Sequence, residues 1–99
     1  MIRMIELTNE EKRGKILEKL ARMKKFEGAH TSVRDAAKGW PKHMVGEIFE
    51  LIDRMIKDGL LKCKPTEYGK QISINLEKKD EVERLIRIFL EKKYTKQIR

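Results

Sequence analysis

Apolar residues recur at helical spacing in four stretches of the chain and at a spacing of two in a fifth. The first helical stretch opens at Thr8-Asn9-Glu10-Glu11, the form of a capping box in which Thr8 and Glu11 each satisfy the other's backbone amide. Ile16, Leu17, Leu20 and Met23 then share one face, Phe26 extends it, and Gly28 can supply a stop. This predicts a helix over Thr8 to about Phe26. Thr31 and Ser32 offer a second N-cap before Val33, Ala36 and Ala37, and Gly39 halts a helix of about two turns. Trp40-Pro41 turns the chain, with Pro41 suited to the first position of a third helix. Met44, Val45, Ile48, Leu51, Ile52, Met55 and Ile56 give that helix a wide apolar stripe ending at Gly59.

Past Gly59 the period becomes two. Leu61 and Cys63 alternate with Lys62 and Lys64, and Ile72, Ile74 and Leu76 with Ser73 and Asn75. Two strands are expected, joined across Pro65 to Lys70 by a loop longer than a tight two-residue turn. Asp80-Glu81-Val82-Glu83 is a further capping-box form, and Val82, Leu85, Ile86, Phe89 and Leu90 make a last amphipathic helix to about Lys93. Met1 to Leu7 reads as a short strand or an arm. The expected fold is α+β, mostly α.

Length and charge narrow the function. A chain of 99 residues suits one compact domain. With 24 Lys and Arg against 16 Asp and Glu, the formal charge of +8 implies an acidic partner, nucleic acid first among them. No apolar run approaches the roughly 20 residues that span a bilayer, and Met1 to Leu7 is too short for a signal sequence, so the chain reads as cytoplasmic. Few Asn and Gln beside many Ile, Lys and Glu suggest a thermophilic or archaeal source. Cys63 stands alone, remote in sequence from His30 and His43; no disulfide, metal site or cofactor is expected, and the thiol is taken as buried. Neither paired carboxylates, a nucleophile with its base, nor a Gly-rich phosphate loop can be assembled, so the chain is not expected to be an enzyme.

The stretch Thr31 to Leu61, with Val33, Ala36 and Ala37 before the turn, Ile48, Ile52 and Met55 after it, and Lys57-Asp58-Gly59-Leu60-Leu61 at its close, resembles the winged helix-turn-helix domains of bacterial and archaeal transcription regulators. The layout covers nearly the whole chain: a three-helix core over 8–59, a β-hairpin wing over 60–76, and an additional helix over 80–94. That last helix resembles those with which small regulators of the multiple-antibiotic-resistance and PadR-like groups dimerise, which assigns Val82, Leu85, Ile86, Phe89 and Leu90 to a homodimer interface. The turn Lys38-Gly39-Trp40-Pro41-Lys42-His43 departs from the usual Leu-Gly-Leu-Ser form. The resemblance implies a double-stranded-DNA-binding transcription regulator, helix 41–58 in the major groove and wing 61–76 on the flanking backbone. With Ile48, Ile52 and Met55 inward, helical geometry turns Lys42, His43, Gly46, Glu50, Asp53, Arg54 and Lys57 outward. Lys42 and His43 could donate to guanine, and Gly46 could admit a close backbone approach. Ser32, Arg34 and Lys38 would meet phosphates, as would Lys62, Lys64, Tyr68 and Lys70 on the wing.

Plainer roles stand beside these. Trp40 is read as a core anchor of the turn in preference to a base-stacking residue. Gly46 equally suits close helix packing. From Pro41 to Asp58, Lys42, Arg54 and Lys57 face Glu47, Glu50, Asp53 and Asp58, so the recognition helix is net negative by one, and the excess of cations sits on helix one and the C-terminal segment. Either its acidic half points away from the duplex, or the domain meets DNA by another face or docks a protein. The alternatives to a sequence-specific regulator are thus a winged-helix protein-interaction module and an architectural or replication-associated DNA binder.

Overall fold

The computed structural model describes residues 7–98; the arm or strand expected at the N-terminus lies outside the described residues except for Leu7, which is buried. The elements run α1 (Asn9–Arg22), β1 (Thr31–Ser32), α2 (Val33–Ala36), α3 (Val45–Lys57), β2 (Leu61–Thr66), β3 (Gly69–Ile74) and α4 (Lys79–Ile98), with 3-10 turns at Lys42–Met44 and Leu76–Lys78. The fold is α+β and mostly helical. Its three strands form one antiparallel sheet of order β1-β3-β2, and this arrangement is compatible with a winged-helix-like organisation. No described helix is long and apolar enough to cross a membrane.

The capping box forms: the Thr8 hydroxyl accepts from the Glu11 amide at 3.1 Å while the Glu11 carboxylate accepts from the Thr8 amide at 2.8 Å. The helix it starts ends earlier than expected. Lys24, at φ 57°, takes the left-handed step assigned to Gly28, and the amides of Lys24 and Lys25 close on the carbonyls of Ala21 and Leu20. This is a Schellman stop, whose two hydrogen bonds offset the cost of a side chain in that conformation. At the far end of α3 the expected glycine does serve, with Gly59 and Leu60 donating to Ile56 and Met55. Helix two is one turn long instead of two, capped by Ser32, whose hydroxyl accepts from Asp35 at 3.0 Å. Pro41 lies just outside a 3-10 turn that precedes α3 proper.

The hairpin is tighter than the sequence suggests. Thr66 pairs with Gly69 and Pro65 with Lys70, leaving Glu67 and Tyr68 as a two-residue loop. Gly69, at φ 113°, supplies the left-handed residue that lets the strands close. Pro65 is tolerated in β2 because the sheet order makes β2 an edge strand. β3 is central, and Ser73 and Asn75 are buried along with Ile72 and Ile74, so the expected alternation of buried and exposed residues fails there. The cap expected of Asp80 does not form there; instead Asn75 caps the 3-10 turn ahead of α4, its Oδ1 accepting from Glu77 and its Nδ2 donating to the Gly59 carbonyl at 2.7 Å. Asp80 sits in the first turn of α4, which runs on past Lys93 to Ile98, and Leu76 is exposed instead of facing the core. Cys63 is half-buried, more open than expected.

α4 packs chiefly along α1. Val82, Leu85 and Phe89 join Ile16, Leu17 and Leu20, together with Ile48, Ile52 and Met55 of α3 and Ile72 and Ile74 of β3, in one core. Each such side chain contributes about 1.5–3 kcal/mol when fully buried. The stripe expected to form a dimer interface is therefore divided. Val82, Leu85 and Phe89 are spent inside the chain, and Ile86 and Leu90 are half-buried. The approach of the two helices depends on Gly14: a Cβ there would stand 2.1 Å from the Leu85 carbonyl oxygen and 2.8 Å from Cβ of Phe89. Arg84 adds an exposed tie, reaching Glu10 at 3.1 Å and Glu81 at 2.7 Å.

Two glycine substitutions separate these effects. Gly14→Ala must push α4 away, so a loss of about 1–3 kcal/mol is expected from urea unfolding. At Gly46 a Cβ meets nothing within 4 Å, so Gly46→Ala is expected to gain about 0.5–1 kcal/mol from helix propensity alone. Equal stabilities for the two variants would contradict the close approach at Gly14.

Candidate nucleic-acid interface

The geometry starts with the placement of α2. The Lys19 ammonium on α1 donates to the carbonyls of Asp35 and Lys38, both at 2.8 Å, and so caps the C-terminal end of this short helix. Burial lowers the pKa of Lys19, an effect that nearby Arg22 reinforces. Lys38 in turn bonds the Asp35 carboxylate at 3.0 Å and draws its pKa down. The following turn is held by Trp40, which is buried as its anchoring role requires. The Lys15 ammonium lies 5.5 Å from the centre of the Trp40 ring and 5.4 Å from that of Phe89, within cation–π range of both. Desolvation there lowers the Lys15 pKa despite the opposing influence of Glu18.

Helix α3 leaves this turn with its outer face open. Lys42, His43, Gly46, Glu50, Asp53, Arg54 and Lys57 are all exposed, as its periodicity predicts. Open space around Gly46 rules out the alternative that it serves close helix packing. Three of the four carboxylates of this segment carry cations from outside it. Lys12 of α1 bonds Glu47, Arg13 of α1 reaches Asp58 at 3.3 Å, and Lys70 of β3 reaches Asp53 at 3.4 Å. Among the described residues only Glu50 of these four has no ion-pair partner, while Lys42, Arg54 and Lys57 add three cations. The surface around α3 is thus net positive although the segment itself is net negative.

Beside α3, the start of α2 and the hairpin enclose two adjoining concavities that share Val33, Arg34 and Lys70. One continues to Ser32, Tyr68 and Gln71, the other to Phe49 and Asp53. Four of the residues singled out from sequence therefore line one groove: Ser32, Arg34, Tyr68 and Lys70. The Ser32 hydroxyl is already engaged as a helix cap. Tyr68 is 93% exposed at the tip, and Lys64 lies opposite Gln71 on the exposed edge of the hairpin. Lys62 is drawn elsewhere: it bonds Glu27 at 3.0 Å, which raises its pKa, and Lys38 sits at the opposite end of α2, by Lys19. Phe49 escaped the sequence reading. It is 38% exposed on the groove side of α3, and its signal was there to be read, since it falls outside the series that joins Ile48, Leu51, Ile52 and Met55.

Among the described residues no group of three or more His, Cys, Asp or Glu is placed to hold a metal ion. No protein-family model matches the chain, and no curated protein or solved structure matches it either.

Proposed function

We propose that this protein is a winged-helix regulator that binds double-stranded DNA, with α3 in the major groove and the β2–β3 hairpin on the adjacent backbone. The observation that carries the reading is the pairing of Glu47, Asp53 and Asp58 with Lys12, Lys70 and Arg13. It removes the objection that an acidic helix would be repelled by phosphate, and it leaves Lys42 and His43 exposed at the entry to α3. A major groove about 12 Å wide admits such a helix. Arg34 lines the groove beside α3 and Lys64 is exposed on the hairpin, and both suit phosphate contacts, which fix register and carry no sequence information themselves.

A second copy fits the apolar cleft that Phe26, Ile74, Leu76 and Ile86 form on the other flank of α4, where Leu76 is 43% exposed. Charge complementarity favours that pairing. Glu83 and Lys93 lie equally far on either side of Ile88, as do Ile86 and Leu90, so an antiparallel α4 pair centred on that level matches carboxylate to ammonium and apolar to apolar. Two copies also double the DNA contacts.

Two experiments test these assignments. A random duplex pool retained on the protein at two salt concentrations is expected to yield a recurrent two-fold motif. Lys42→Ala and His43→Ala should relax preference at particular positions, whereas Arg34→Ala and Lys64→Ala should weaken every duplex and flatten the salt slope by about one unit per lost contact. Retention without a motif would indicate the architectural alternative, and no retention at low salt would overturn DNA binding in favour of a protein partner. For the dimer, light scattering should show Glu83→Lys and Lys93→Glu each weakening association and the double exchange restoring it; a wild type monomeric at all concentrations would end the idea.

A further inference from the structure

We propose that Phe49 reads a pyrimidine C5-methyl group on the floor of the major groove, making it a specificity-determining residue; the inference rests on the DNA-binding reading above. Phe49 is the large apolar side chain that α3 leaves exposed. The remaining ones among the described residues, Met23, Tyr68, Leu76 and Tyr94, lie on other elements. A ring on the outside of a helix otherwise surrounded by charge gains nothing from water, and it has a natural counterpart only if the partner also presents an apolar group.

The surroundings of the ring say which group that is. Arg34 lines the Phe49 concavity beside the Lys70–Asp53 pair, which leaves its wall net positive and favours an anionic polymer there, and Val33 adds an aliphatic side. Gly46 lies three residues earlier, about 60° away around the helix, with open space where its Cβ would be. The α3 backbone can therefore come close to a base edge at the level where the ring projects. Base edges in the major groove offer donors and acceptors, and the one apolar feature among the four standard bases is the thymine methyl. A phenyl ring pressed on the edge of guanine, adenine or cytosine would strip water from polar atoms and return no hydrogen bond. Against a methyl it loses nothing polar. 5-Methylcytosine presents the same group, so the chemistry is shared by two bases.

The test uses the duplex that the wild-type protein retains from the random pool, resynthesised with thymine replaced by uracil at one position at a time. This removes a single methyl and changes no base-pairing hydrogen bond. At one motif position the affinity is expected to fall about fourfold, the value of one buried carbon. Phe49→Ala should bind the thymine and uracil duplexes equally, and Phe49→Leu should keep part of the difference, with unchanged far-ultraviolet circular dichroism in both. Replacing the same pair by 5-methylcytosine–guanine and by cytosine–guanine identifies the source. A gain on methylation assigns the ring to the methyl of either base, and a preference confined to thymine against uracil assigns it to thymine. Wild-type protein that bound thymine and uracil duplexes alike at every position would overturn the proposal while leaving DNA binding intact. So would discrimination that survived in Phe49→Ala. Failure to retain any duplex would overturn both together.

Discussion

The contact between Gly14 and the backbone of α4 sets how closely the first and last helices of the described chain approach. Because α1 has no side chain there, the Leu85 carbonyl and the Phe89 side chain come down onto the helix backbone. Phe89 can then share the Lys15 ammonium with Trp40, which fixes the turn after α2. Lys19, one turn further along α1, holds the C-terminal carbonyls of α2. The helix that faces solvent in the candidate interface is thus located from behind, through two lysines and two aromatic rings. Displacing α4 would disturb that face without touching any residue on it.

The same helix governs electrostatics. Lys12 and Arg13 belong to α1 by sequence and serve α3, since Lys12 places its charge on Glu47 of that helix and Arg13 on Asp58 at its C-cap. Lys70 does likewise from the hairpin. The exposed Lys70–Asp53 pair adds little stability, commonly about 0–1 kcal/mol, whereas Lys12 is buried and Arg13 half-buried on their sides of the other two. The effect of all three is on the field that an approaching polyanion meets, which depends on summed charge and not on the strength of each pair.

What was legible in the sequence was local. Thr8 and Glu11 cap α1, Ser32 caps α2, Gly59 ends α3, and Ile48, Ile52 and Met55 face inward, because each is decided within a few residues of chain. What was not legible depended on neighbours distant in sequence. Two residues of β1 carry no alternation to detect, and their partners lie in β3. Pro65 signals a loop unless one knows that β2 has an open edge. Ser73 and Asn75 look solvent-facing until β3 is found at the centre of the sheet, and Lys24 takes a glycine's conformation because the carbonyls of α1 accept its amide and the next. In the candidate interface, counting charge along one segment hid the cations supplied by others. Phe49 was missed for the opposite reason: its position in the helical period was informative, but an apolar residue attracts attention only where it extends a stripe.

The pairing of the first helix with the last also bears on how the chain is made. α1 precedes α4 in the chain, so during synthesis Ile16, Leu17 and Leu20 are made before the helix that supplies their principal cover. Joining the two helices closes the loop from Gly14 to Leu85, a non-local and entropically costly event. Until α4 docks, the apolar face of α1 lacks that cover and is open to non-native contacts.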